Sequence, residues 1–107
     1  MFNFNEAIND MSLPNKKQFE QYSTDNFEIV FSQDHSLSCR IDEVKAGLQP
    51  HSSGQNEQFS VVFACSETQV FEQGVYHVSH PKLGGFELFL VPIFGDDKGV
   101  HYEAVFT

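Results

Sequence analysis

From residue 27 onward the chain alternates apolar and polar positions with a period of two, broken by short clusters of turn formers. In "FEIVF" (27–31) Phe27, Ile29 and Phe31 share one face of a strand. "SQDHS" (32–36) interrupts the pattern, and "LSCRIDEV" then sets Leu37, Cys39 and Ile41 against Ser38, Arg40 and Asp42. That is the signature of a strand with one wet face, and 27–31 with 37–44 reads as a β-hairpin. "FSVVFAC" (59–65) is apolar on both faces and is expected to be covered on two sides. "VYHVSH" leads through Pro81 and the Gly84-Gly85 pair into "FELFLVPIF", with Phe86, Leu88 and Leu90 on one face and Phe89, Val91 and Ile93 on the other. Pro92 has no N–H to give a ladder, so pairing on that side stops at an edge or a bulge. "GDDKG" (95–99) connects this run tightly to "VHYEAVF", whose Tyr102, Ala104 and Phe106 point inward and His101 and Glu103 outward, a second hairpin.

The ends of the pattern differ. "FNFNEAINDM" (2–11) places Phe4, Ala7, Ile8 and Met11 at helical spacing. So short a helix forms only when docked. "GLQPHSSGQNEQ" (47–58) holds nothing to bury and reads as a surface loop. Six to seven short strands and one short N-terminal helix, with no helices between strands, predict a mainly β fold: an antiparallel small barrel or sandwich. The 107 residues are read as one domain, with 1–14 as an N-terminal helix or arm.

Composition sharpens this. Twelve Phe and no Trp put the aromatic mass into a side chain with no polar handle, which marks core or a dry interface. Fifteen acidic against six basic residues leave a net charge of −9, and such a surface repels nucleic acid and anionic membrane. No run of apolar residues is long enough to span a membrane, and the N-terminus has no signal-peptide pattern, so cytoplasmic residence is the default expectation. Cys39 and Cys65, 26 residues apart, match no zinc spacing. They are expected as small buried hydrophobes, with a bridge between neighbouring strands left open.

The second half carries a recognisable pattern. Phe59–Phe63, Gln73-Gly74-Val75-Tyr76, His80-Pro81 with Leu83-Gly84, Leu88–Pro92 and Tyr102–Phe106 together resemble a family of small bacterial domains of unknown function, with the pattern FsLlF, QGtY, HP.lG, lFLvP, YeAvF. The resemblance is dense over about half the chain and reaches back weakly to "FEQYSTDNFEIVF"; the first dozen residues depart from it. It implies a compact, mostly β domain with no assigned activity, found beside phage-tail-collar-like proteins, and hence an accessory or assembly role.

The chemistry-bearing residues are sparse. His77 and His80 are three apart, which on a strand sends them to opposite faces. His80-Pro81 reads as the opening of a turn. A metal site would need His77 to meet His101 across neighbouring strands, with Asp96 or Asp97 supplying oxygen. Neither cysteine has the basic or helix-start setting of a reactive thiol, no serine lies in a nucleophile elbow, and Gly84-Gly85 is no phosphate loop. The adjacent acids Asp42-Glu43 and Asp96-Asp97 form no acid–base dyad.

Three readings follow. The first is a non-catalytic interaction or assembly domain, without cofactor, that meets a protein partner or a second copy through the doubly apolar 86–94 strand and the 47–58 loop. The second is a barrel binding a small hydrophobic ligand against Phe59, Phe63, Phe86 and Phe89; with Tyr76 and Tyr102 these are the candidate ligand or partner contacts. The third is a metal-dependent enzyme using His77 and His101. The ordinary fate of the 86–94 strand is an inner barrel face on one side and the N-terminal helix on the other.

Overall fold

The computed structural model describes residues 13–47 and 58–106. The helix expected over 2–11, and with it the cover expected for the outer side of the 86–94 strand, lies outside these residues, as does all but the ends of the 47–58 loop. The described chain forms α1 (Lys16–Gln21), β1 (Asn26–Ser32), β2 (His35–Ala46), β3 (Phe59–Cys65), β4 (Gly74–His80), β5 (Gly84–Asp96) and β6 (Gly99–Phe106). The six strands close into an antiparallel barrel in the order β1-β2-β3-β6-β5-β4, with β4 returning to β1. The mainly β expectation holds, and the barrel rather than the sandwich is realised.

Two three-stranded meanders, β1-β2-β3 and β4-β5-β6, build the wall. β3 runs along β6 from Phe59↔Phe106 to Cys65↔Val100, whereas β1 and β4 meet only at Glu28↔Ser79, Ile29↔Val78 and Val30↔His77. The alternation read from the sequence decides which side chains enter: Phe27, Ile29 and Phe31 of β1, Phe86, Leu88 and Leu90 of β5, Tyr102 and Ala104 of β6 are all buried. Two bulges adjust it. One between Ile41 and Glu43 shifts the register so that Val44 packs on the core. The other, between Pro92 and Phe94, falls where the missing N–H of Pro92 would break the ladder.

A barrel wall alone leaves two open ends. At one, α1 supplies the closure. Its first turn is fixed by a capping box in which the Gln18 N–H donates to Asn15 Oδ1 (2.8 Å) and the Asn15 N–H donates to Gln18 Oε1 (2.9 Å). The helix buries one side chain, Phe19. Its ring sits 6.1 Å from Phe27, 6.1 Å from Phe59, 6.0 Å from Phe86 and 5.4 Å from Phe106, touching rings from β1, β3, β5 and β6. No apolar period announced this helix, because one inward residue in six cannot show one.

The connection from β3 to β4 closes the other end. Phe71 stacks on Phe31 at 4.6 Å, and its N–H donates to the Tyr102 hydroxyl at 3.0 Å. The Tyr76 hydroxyl donates to the carbonyl of Glu72. The β5–β6 turn is held against the same region: a Cβ on Gly99 would stand 1.9 Å from the carbonyl oxygen of Cys65, and Gly99 has φ +148°. Only glycine fits there.

Cys39 and Cys65 are both buried and joined by a disulfide between the neighbouring strands β2 and β3, their Cα atoms 4.6 Å apart. The small-hydrophobe expectation is met in burial, and the option of a bridge is the one taken.

Replacing Phe19 by Ala removes the plug and strands four rings around a cavity. The expected loss is about 3–5 kcal/mol of unfolding free energy, read by denaturant titration, with Phe19→Leu clearly milder. Replacing both cysteines by Ala releases a cross-link with a sequence separation of 26, and chain entropy sets the expected loss at about 3.5 kcal/mol by the same measurement.

Candidate functional site

β4 carries both histidines of the H-x-x-H stretch, and strand geometry parts them as expected. His77 points outward. Its ring lies over Gly85, where a Cβ would come within 2.8 Å of Nε2, and its Nδ1 is 2.8 Å from Glu87 Oε2. His80 points inward and is buried. Its Nδ1 accepts N–H groups from Lys82 (3.0 Å) and Leu83 (3.3 Å), so Nε2 carries the proton it donates to Asp25 Oδ2 at 2.9 Å. The rings of Tyr22 and Phe27 each lie 4.7 Å from its own. His80 therefore clamps the 81–83 turn to the α1–β1 junction. With both nitrogens engaged it has no lone pair left for a metal.

The metal reading requires correction. His77 and His101 are not on neighbouring strands: β5 lies between them, His77 opposite Glu87 and His101 opposite Phe94. Those positions are seven residues apart on β5, about 23 Å along an extended strand. Asp96 and Asp97 sit at the turn on His101's side of the barrel, away from His77. Among the described residues no three His, Cys, Asp or Glu side chains gather as a metal site.

Phe59, Phe63 and Phe86 are interior, as the ligand reading required, and belong to the packed core: Phe19 lies against Phe59 and Phe86, and Phe27 against Phe63, while Phe59 also borders an open groove of about 480 Å³ beside Val105 and Phe106. Phe89 is the correction. It points out of the barrel and is 52% exposed, because β5 alternates and Phe86, Leu88 and Leu90 occupy the inner positions. Tyr76 and Tyr102 belong to the end closure. Burial raises the Tyr102 phenol above its ordinary value, with the charge of Glu67 and the nearby Tyr76 adding to the effect and the Phe71 N–H working against it. Burial also raises Tyr76, helped by the Glu72 carboxylate.

The outer surface divides into two kinds of face. Across β2, β1 and β4 it is polar: a shallow groove of about 790 Å³ runs over Glu28, Ser36, Ser38, His77 and Ser79, with Ser36 Oγ donating to Glu28 Oε2 at 2.7 Å. Along β4 and β5 it is apolar. Val75 stands directly opposite Phe89, and the strip continues along β5 through Val91 to Ile93 and Phe94; all but Val91 are about half exposed or more.

Residues 14–106 match the model of a protein family described as a domain of unknown function, DUF6916. The chain belongs to this family. No curated protein and no solved structure matches it. The DUF6916 match begins at Pro14, one residue before the α1 cap, and ends with the last residue of β6, so the family unit is the plug together with the barrel. That extends the resemblance read from the second half of the sequence back across α1. No helix among the described residues is long and apolar enough to cross a membrane.

Two features, one on this surface and one in the core, carry signals in the sequence that its alternation does not show. Val75 could have been found by counting back from the 81–83 turn to its partner Phe89. Phe19 could have been found from the Asn15-x-x-Gln18 spacing, which is a capping-box pattern.

The raised Tyr102 phenol has a signed consequence. The folded state keeps this proton above pH 10.0, where the unfolded chain has released it, so the contribution is intact below 10.0 and is lost as pH rises beyond it. Unfolding free energy should fall with pH above 10.0, and Tyr102→Phe should make that fall shallower. At neutral pH the same variant should lose about 1 kcal/mol, through the unpaired Phe71 N–H.

Proposed function

We propose that this DUF6916 domain is a non-catalytic interaction and assembly module whose partner-facing surface is the outer strip of β4–β5. The observation that carries this reading is the contiguity of Val75, Phe89, Ile93 and Phe94 outside a barrel whose interior is already filled. Single exposed apolar residues are ordinary; a run of them on one side of a sheet, with phenyl rings among them, is the mark of a contact surface. Full burial of each half-exposed ring would add on the order of 1 kcal/mol.

The internal chemistry supports the non-catalytic part. His80 is saturated by turn amides and Asp25, and both cysteines are consumed by their bridge. The partner is a protein, either a second copy or another chain, and the resemblance to domains found beside phage-tail-collar-like proteins favours a phage-tail-like setting for that assembly. The Cys39–Cys65 bridge favours an oxidising compartment or a finished extracellular assembly over the cytoplasmic expectation, because cytosolic thiol pools keep such pairs reduced.

Photo-crosslinking tests this in the producing cell, with benzoylphenylalanine placed at Phe89 or Ile93 and, as control, at Ser36 on the polar face. Discrete adducts from Phe89 and Ile93 and none from Ser36 are expected, and their mass distinguishes a second copy from another protein. Equal labelling from all three positions, or none from the strip, would sink the reading.

A further inference from the structure

Arg40 is the only arginine in a chain with fifteen acidic residues, yet among the described residues it has no ion-pair or hydrogen-bond partner. Its surroundings are built with care. On the outer face, Arg40 of β2 is directly opposite Ala64 of β3, which is directly opposite His101 of β6. With strand spacings of about 4.8 Å, Arg40 and His101 stand about 10 Å apart across the methyl group of Ala64. The small residue is the floor of a slot with a guanidinium on one wall and an imidazole on the other. Lys98, from the β5–β6 turn, lines the same groove of about 450 Å³, and Asn26, Ser38 and Ser66 bring neutral donors to it.

The frame of this groove is locked. The Cys39–Cys65 bridge joins the residue before Arg40 to the residue after Ala64, so β2 and β3 cannot slide here. The close approach of Gly99 to the Cys65 carbonyl fixes the turn that carries Lys98, and Asp96 Oδ1 accepts the Lys98 N–H at 2.8 Å. Asp96 is the one carboxylate in the lining. Against it, Arg40 and Lys98 leave an excess positive charge even with His101 neutral. Acids of the chain more than about 8 Å away are screened at physiological ionic strength; Asp97 beside Lys98 and Asp42 two residues from Arg40 lie nearer but do not line the groove.

We infer that this groove is a binding site for a phosphoryl group. Its donors come from three directions, β2, β6 and the β5–β6 turn, which suits a tetrahedral oxyanion with oxygens on several sides. A planar carboxylate would be satisfied by the arginine fork alone. The site is independent of the partner-facing strip in its test, because the probe is a small ion and no partner is required.

The experiment is an amide chemical-shift titration of the intact chain with inorganic phosphate, acetate and chloride at matched ionic strength. Phosphate is expected to give saturable shifts at Ser38, Arg40, Ala64, Ser66, Lys98 and His101, with a Kd on the order of 5 mM. Arg40→Gln should weaken this at least tenfold and Lys98→Gln severalfold, with amide dispersion showing that both variants remain folded. Chloride should give no saturable response and acetate a weaker one confined to Arg40. Shifts that do not saturate, that persist unchanged in Arg40→Gln, or that acetate reproduces in full would overturn the assignment.

Discussion

The interior of this domain depends on one ring. Phe19 rises from a six-residue helix into the open end of the barrel and meets phenyl groups from β1, β3, β5 and β6. A helix this short does not persist in water by its own hydrogen bonds; docking of Phe19 holds it, and the helix in turn holds the ring in place. The abundance of Phe follows from the same arrangement. Rings without polar atoms can converge on a single point with no hydrogen bond left wanting. At the other end, where the closing segment is a loop with backbone groups to satisfy, two tyrosines join Phe31 and Phe71, and their hydroxyls bond the Phe71 N–H and the Glu72 carbonyl.

A packed barrel interior directs attention to the outer surface. Most small barrels that bind ligands do so in their interior or mouth, but here the interior is occupied by Phe27, Phe63, Leu90 and their neighbours. The outer surface carries the unspent chemistry: apolar side chains along β5, and on β2 an arginine without an ion-pair partner among the described residues. The apolar strip is exposed to solvent at some cost, and neither feature contributes to closing the barrel. Residues that cost something and do nothing for the fold are where a contact should be sought.

Local pattern in the sequence was informative, and long-range order was not. The alternation over 27–31, 37–41, 86–90 and 102–106 identifies both hairpins and almost every inward side chain, because a period of two reports directly on which face is buried. The same rule separated His77 from His80. What alternation cannot show is which strands become neighbours. The crossover through 66–73 places β4 beside β1. Within the β4-β5-β6 meander β5 separates β4 from β6, so His77 and His101, paired in expectation, lie far apart. The Cys39–Cys65 bridge is only an option in the sequence because the long 47–58 loop leaves the pairing of β2 with β3 open. Phe89 is a different failure: its parity was read correctly as opposite to Phe86, and its assignment to the interior ignored that parity.

Phe94 connects the two outer features. Its ring lies 5.4 Å from that of His101, it lines the charged groove, and it ends the apolar strip. The bulge at Pro92 makes this double exposure. Without the extra residue, strict alternation would turn either Ile93 or Phe94 inward. A protein seated on the strip would cover Phe94 and so alter one wall of the groove, and an anion held by Arg40 and His101 would fix the ring against which that protein packs. By reciprocity of linkage, any strengthening of one contact by the other must run equally in both directions. Proline in the middle of a strand thus does more here than interrupt a ladder: it sets an apolar ring at the boundary of two surfaces that would otherwise be separate.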